Sequence, residues 1–242
     1  MISWPIAIST ARERGFLKLP LFWMAGLFLM GLFQGGGSRG AEAFTGGGEA
    51  WLIFFVLILS GGLISDEVDS GHAQLVLLKP ITRAQWVSGR FTGAAIVLSA
   101  GVLLSWMGSL IMAFVHGGDA LLVLRLQVLP LALLTALPWM ATAVALSVVI
   151  RGWANVGVMV GGMIAWGISR HVLPQLLLLK GFDVEPYFKA IEPYAGPQNV
   201  LKDLLAGTLT PSTALWNLFW LFAAWTLAVL LFDRRELARR RA

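Results

Sequence analysis

Asp66, Glu67, Asp69 and His72 place four potential ligand side chains within one short stretch. Carboxylate oxygens and imidazole nitrogens are the donors that hold divalent cations. No second cluster stands near them, the spacing of a calcium-binding loop is missing, and structural metal sites recruit spaced ligand pairs. The same residues also fit a helix start, with Ser65 or Asp66 as the cap and the acids at the positive end of the helix dipole. They are read as that turn, with Glu67 a structural partner for nearby basic residues. Other chemistry is equally thin. The chain has no cysteine, which removes disulfides and thiolate chemistry. No Gly-x-Ser-x-Gly or His-Glu-x-x-His signature occurs. The Gly-rich stretch 34–48 lacks the Gly-Lys-Ser/Thr ending of a phosphate-binding loop. No catalytic residue, metal site or cofactor is expected in this chain.

The composition sets the class. Of 242 residues, 57% are hydrophobic and 13% charged, with mean hydropathy +0.77, against roughly 25% charged in a soluble domain. This is an all-α integral membrane protein, read as one transmembrane domain over residues 1–242. A span needs about 20 apolar residues. Six segments fit: 17–33, a short 50–65, 91–115, 126–150, 152–169 and 214–232. Residues 1–16 mix Trp4, Ile6, Ile8 and Phe16 with Arg12, Glu13 and Arg14, the composition of an interfacial amphipathic helix. A frayed terminus with one anchoring Trp is the plainer alternative.

The basic residues set the orientation. One set of alternate segments holds Arg12, Arg14, Lys18, Lys79, Arg83, Arg90, Arg151 and the arginines of the tail 233–242. The other holds Arg39, Arg125, Arg170, Lys180, Lys189 and Lys202. The bias puts both termini, the basic tail and the 65–90 insert in the cytoplasm of a cell whose inner membrane the chain crosses. It does not form a nucleic-acid-binding face. On the outer side, Val200, Leu201, Leu204 and Leu205 fall at helical spacing before Gly207, which predicts a short helix on the outer leaflet.

Within the insert, Pro80 breaks any helix. Thr82 and Gln85 have the spacing of a capping box for a short surface helix over 83–89. Two spans need only a few residues to connect, so an insert of this size argues for a role. Nothing charged sits mid-span, which weakens ion pumps and proton-coupled carriers. His116 and His171 fall at outer span ends. Gly157, Gly161, Ala165 and Ser169 recur every four residues, a stripe that lets another helix approach closely. It serves either a subunit interface or packing within the chain. Pro130 and Pro138 should kink the fourth span, and most Trp residues fall near span ends as interfacial anchors.

The insert SDEVDSGHAQLVLLKPITRAQWVSGRF resembles the signature of ABC-2 type permeases, the membrane subunits of a class of ATP-binding-cassette transporters. The pattern is an acid with a nearby Gly, a Leu-rich run, Pro-x-x-Arg, then Gly-Arg. It falls on Glu67, Gly71, Leu75 to Leu78, Pro80, Arg83, Gly89 and Arg90. The amphipathic start, six-span plan, outer helix and basic tail fit too, closest to the compact subgroup that includes the permease of nitrous-oxide reductase maturation. The resemblance implies two permease chains, identical or different, set in lipid. Each docks a separate ATPase subunit, which carries the ATP and Mg, through a coupling helix over roughly 80–88. The expected docking residues are Glu67, Gly71, Lys79, Pro80, Ile81, Thr82, Arg83, Gln85, Gly89 and Arg90. Export is the usual direction in that family. Two other classes stay open: a structural membrane subunit that anchors or transmits force to a complex, and an intramembrane lipid-modifying enzyme using Asp66 and Asp69 on a metal.

Overall fold

The computed structural model describes residues 2–15, 48–78, 80–115, 128–178, 184–187, 196, 197, 200, 203 and 210–239. Among them the elements are α1 (Trp4–Gly15), α2 (Gly48–Ser60), α3 (Ser65–Asp69), α4 (His72–Leu77), α5 (Arg83–Val115), α6 (Val128–Val149), α7 (Ala154–His171), α8 (Leu173–Leu178) and α9 (Pro211–Arg239), with no strand. Four stretches are long and apolar enough to cross a membrane: Arg83–Leu104, Leu129–Val149, Ala154–Leu178 and Pro211–Arg235. The expected first span 17–33, the Gly-rich stretch, Lys79, His116 and most of the outer helical segment lie outside the described residues.

Several expected boundaries move, each for a local reason. The helix in the place of the expected second span ends at Ser60 rather than Ser65; its 13 residues are fewer than the roughly 20 a crossing needs. Gly62 then turns the chain with φ +65°, and the Asp66 carboxylate lies where its Cβ would be. Only glycine fits both demands. The short surface helix expected over 83–89 does not stand alone but forms the first turns of the 33-residue α5. Its start is the expected capping box: Gln85 N–H donates to Thr82 Oγ1 at 3.2 Å, and Thr82 N–H donates to Gln85 Oε1 at 3.0 Å. Nor does the tail begin as a separate segment at 233, because α9 continues through Arg239.

The buried core is concentrated where α2, α3, α5, α6 and α9 converge. Val56, Leu59, Leu63, Ile64, Val68, Trp86, Leu98, Met140, Val144 and Phe232 belong to it. Trp86 stacks on Phe232 with ring centroids 4.9 Å apart. Such a pair adds about 0.5–1.5 kcal/mol beyond the area it buries. Trp86 is therefore a core residue, unlike the interfacial anchors expected of tryptophan here.

Polar bonds set how α9 lies along α6. Pro138 has no N–H, so it leaves the carbonyl of Leu134 without its helical donor. The buried Asn217 side chain of α9 supplies one at 3.1 Å. One turn on, Thr142 donates to the Pro138 carbonyl at 2.9 Å and accepts from Trp220 Nε1 at 2.9 Å. Pro138 thus creates a bonding site that α9 fills. Pro130 lies in the first turn of α6, where a missing N–H costs nothing.

α1 packs against α5 across two glycines one turn apart. A Cβ on Gly93 would lie 2.5 Å from the Ala7 carbonyl oxygen, and one on Gly89 would lie 3.0 Å from Ile6 Cβ. The absence of side chains there lets the backbones approach. Ala7 and Thr10 are buried by this contact, while Trp4 and Ile8 face outward. By contrast, a Cβ on Gly157 or Gly161 of α7 would meet nothing within 4 Å. Gly157, Gly161 and Ala165 are exposed, so this part of the α7 stripe has no close packing partner among the described residues.

Candidate functional site

One end of the bundle gathers α1, α3, α4, the start of α5, the 150–153 connection and the end of α9. The insert between α2 and α5 is held there by its inward residues. Val68, Ala73 and Trp86 are fully buried, and Val76 and Ile81 pack against the same core. Gly71 separates α3 from α4 with φ +77°, a left-handed turn that a residue with a Cβ rarely adopts. The outward side of α4 and its following turn present His72, Gln74, Leu75, Leu78 and Pro80. Leu78 is 83% exposed and Leu75 65%.

Arg90 holds this end together. It is buried, and its guanidinium contacts Glu67 Oε2 of α3 at 2.5 Å and Glu13 Oε2 of α1 at 2.9 Å. It also donates to Thr10 Oγ1 at 3.1 Å and lies 5.8 Å from the centroid of the Trp86 ring. A buried cation is tolerable because two carboxylates and a hydroxyl replace water at its two terminal nitrogens, with an aromatic face nearby. Arg14 reaches the Gly61 carbonyl at 2.9 Å, so α1 also holds the end of α2. Burial pushes the Arg14 guanidinium below its ordinary value, opposed by the nearby Asp66. Burial raises the Glu13 carboxyl, but the Arg90 bond and charge, the Ser9 hydroxyl and Arg14 outweigh it and hold it low.

Four further attachments fix the insert and the turn that leads into it. Ser65 Oγ accepts from Gly152 N–H at 2.9 Å. Asn155 is fully buried; its amide donates to the carbonyls of Ser60 and Ala143 and accepts from Gly62 N–H at 3.4 Å. From α9, Asp233 pairs with Arg83, and Arg235 bonds the Val148 carbonyl at the end of α6 and lies 3.5 Å from Asp69.

The acids of the insert are thus shared among different partners: Asp66 lies over Gly62 near Arg14, Glu67 meets Arg90, and Asp69 meets Arg235. No group of three His, Asp or Glu that could hold a metal ion occurs among the described residues. Of the expected docking residues, Pro80 and Thr82 are exposed, Gly71, Ile81, Arg83 and Gln85 are partly buried, and Gly89 and Arg90 are buried. Residue-type reasoning missed Thr10, Glu13, Arg14, Asn155, Asp233 and Arg235. The available signal was an acid, Glu13 or Asp233, set among arginines beside an apolar segment.

A family model described as ABC-2 family transporter protein matches residues 48–237. A search of curated proteins gives no match. The matched region runs from α2 to the last turns of α9 and includes the whole insert. Permeases of this family work with an ABC ATPase. The chain belongs to the ABC-2 family of transporter proteins, and it is a multi-pass membrane permease subunit of an ABC transporter.

Proposed function

We propose that this permease docks its ATPase on the outward ledge of the 65–90 insert, around Leu75, Leu78 and Pro80, and that the complex exports its cargo. The observation that carries the reading is the exposure of two leucines beside polar His72 and Gln74 on a segment whose other side is anchored in the core. Exposed apolar side chains rimmed by polar ones are the kind of patch that serves a protein or membrane contact, and the polar neighbours His72 and Gln74 favour a protein. On this reading ATP and Mg are bound by the ATPase, and this chain does no catalysis. Glu67, Gly71, Gly89 and Arg90 shape the ledge from beneath. Pro80, Ile81, Thr82, Arg83 and Gln85 line or support its edge, and Lys79 joins the docking sequence by its place in the motif.

The chain has six spans, with both termini on the cytoplasmic side of the inner membrane, and α1 lies along the headgroups with Trp4 and Ile8 toward lipid. Two permease chains pair through the open face of α7, where Gly157, Gly161, Ala165 and Ser169 permit close approach. The compact form fits the subgroup that serves nitrous-oxide reductase maturation. Leu78→Glu should abolish co-purification of the ATPase while leaving the permease folded. Full retention of the ATPase by Leu78→Glu together with Leu75→Glu would remove the ledge as the docking site.

A further inference from the structure

Arg83 stands in the Pro-x-x-Arg turn, where a docking cation is expected, yet its guanidinium is already engaged. Its side chain is 22% exposed and pairs with Asp233 of α9. The same nitrogen lies 3.5 Å from the Asp233 carbonyl oxygen. A second pair of opposite polarity runs alongside: Arg235 of α9 lies 3.5 Å from Asp69 of α3 and also bonds the Val148 carbonyl of α6. The two pairs bracket the ledge, Asp69 just before His72 and Arg83 just after Pro80. Exchanging their partners would set Asp69 against Asp233 and Arg83 against Arg235, so the charge order admits one seating of α9 and opposes the other.

We infer that Arg83 is a positioning residue rather than an ATPase contact: with Asp233, and with the Asp69–Arg235 pair, it clamps the docking insert to the last span. The inference rests on the docking reading above. The ledge is then not a free lever. Motion applied at Leu75 and Leu78 reaches α9 through two ion pairs and reaches α6 through Arg235. The cytoplasmic end of α9 thereby gains a role in coupling beyond orienting the chain by its positive charge.

The test is a charge-swap cycle on the full-length permease: Arg83→Asp, Asp233→Arg and the double variant. The milder Arg83→Gln and Asp233→Asn repeat it if a reversed charge prevents folding. Three readouts are taken: melting followed by tryptophan fluorescence, retention of the co-expressed ATPase, and ATP hydrolysis by the purified complex. Each single variant should melt about 2–4 °C lower, retain less ATPase and hydrolyse ATP more slowly, and the swap should restore all three. Restored melting without restored ATPase retention would make Arg83 a docking contact and overturn the inference. Equal melting of all four proteins would overturn it as well. If the wild type itself retains no ATPase, the docking reading falls, and the melting cycle alone still decides whether the clamp exists.

Discussion

Arg90 Nη2 lies 2.5 Å from Glu67 Oε2, an ion pair that joins the start of the insert to the helix that follows it. Glu13 approaches the same guanidinium from α1, so one buried cation joins three segments. Removing Glu67 would leave a guanidinium that is only 4% exposed with a single carboxylate. Glu67→Gln should cost on the order of 3 kcal/mol. Glu13→Gln, at a position 44% exposed, should cost about 1 kcal/mol or less. Denaturant titration of the two variants in the same detergent checks the order.

The Glu13 contact also predicts a pH response. Its carboxyl is held below its ordinary value of 4.5. A group depressed in this way stabilises the fold above its unfolded pKa, and the contribution is lost as pH falls through the lower folded value. Wild type and Glu13→Gln should therefore differ in melting temperature well above pH 4.5 and converge as the solution is acidified below it. A gap that persists or widens in acid would contradict the assignment.

Pro138 and Asn217 make a sharper pair. Asn217→Ala strands the Leu134 carbonyl, at a cost of about 1–3 kcal/mol. In a Pro138→Ala background a backbone N–H is again present to bond that carbonyl, so the same substitution should cost markedly less. A double-mutant cycle followed by thermal melting reads the difference directly.

Gly93 tests the seating of α1. With the Ala7 carbonyl 2.5 Å from where a Cβ would sit, Gly93→Ala must displace α1 from α5. The cysteine-free chain allows a single reporter thiol to be added. Ala7→Cys, buried in the parent, should label with a water-soluble maleimide severalfold faster when Gly93→Ala is also present. Unchanged labelling would mean that the helices accommodate the methyl group.

What the chain reveals without a structure follows from how local each signal is. The Thr82–Gln85 capping box involves residues three apart and was legible. The acid-to-base pairing of Glu67 was legible in kind, because an acid in a short basic insert has nearby partners. Arg83–Asp233 joins residues 150 apart, and Arg90–Glu13 residues 77 apart. No periodicity encodes such pairs, so the tail looked like a topology signal alone. Gly89 was noticed for its place in a motif, whereas its packing role depends on α1 lying across it. The end of α2 at Ser60, five residues short of the expected Ser65, is not legible because an apolar run does not report the backbone turn that Gly62 makes within it.

The most direct test of docking at the insert is photocrosslinking from single cysteines. A thiol-reactive benzophenone is placed at Leu75, Leu78, Trp153 or Ile164 of the permease in complex with its ATPase. All four residues are exposed, so reactivity alone does not separate them. The docking account predicts crosslinks to the ATPase from positions 75 and 78 and none from 164. Crosslinks from Ile164, or from Trp153 alone with the two leucines silent, would contradict it.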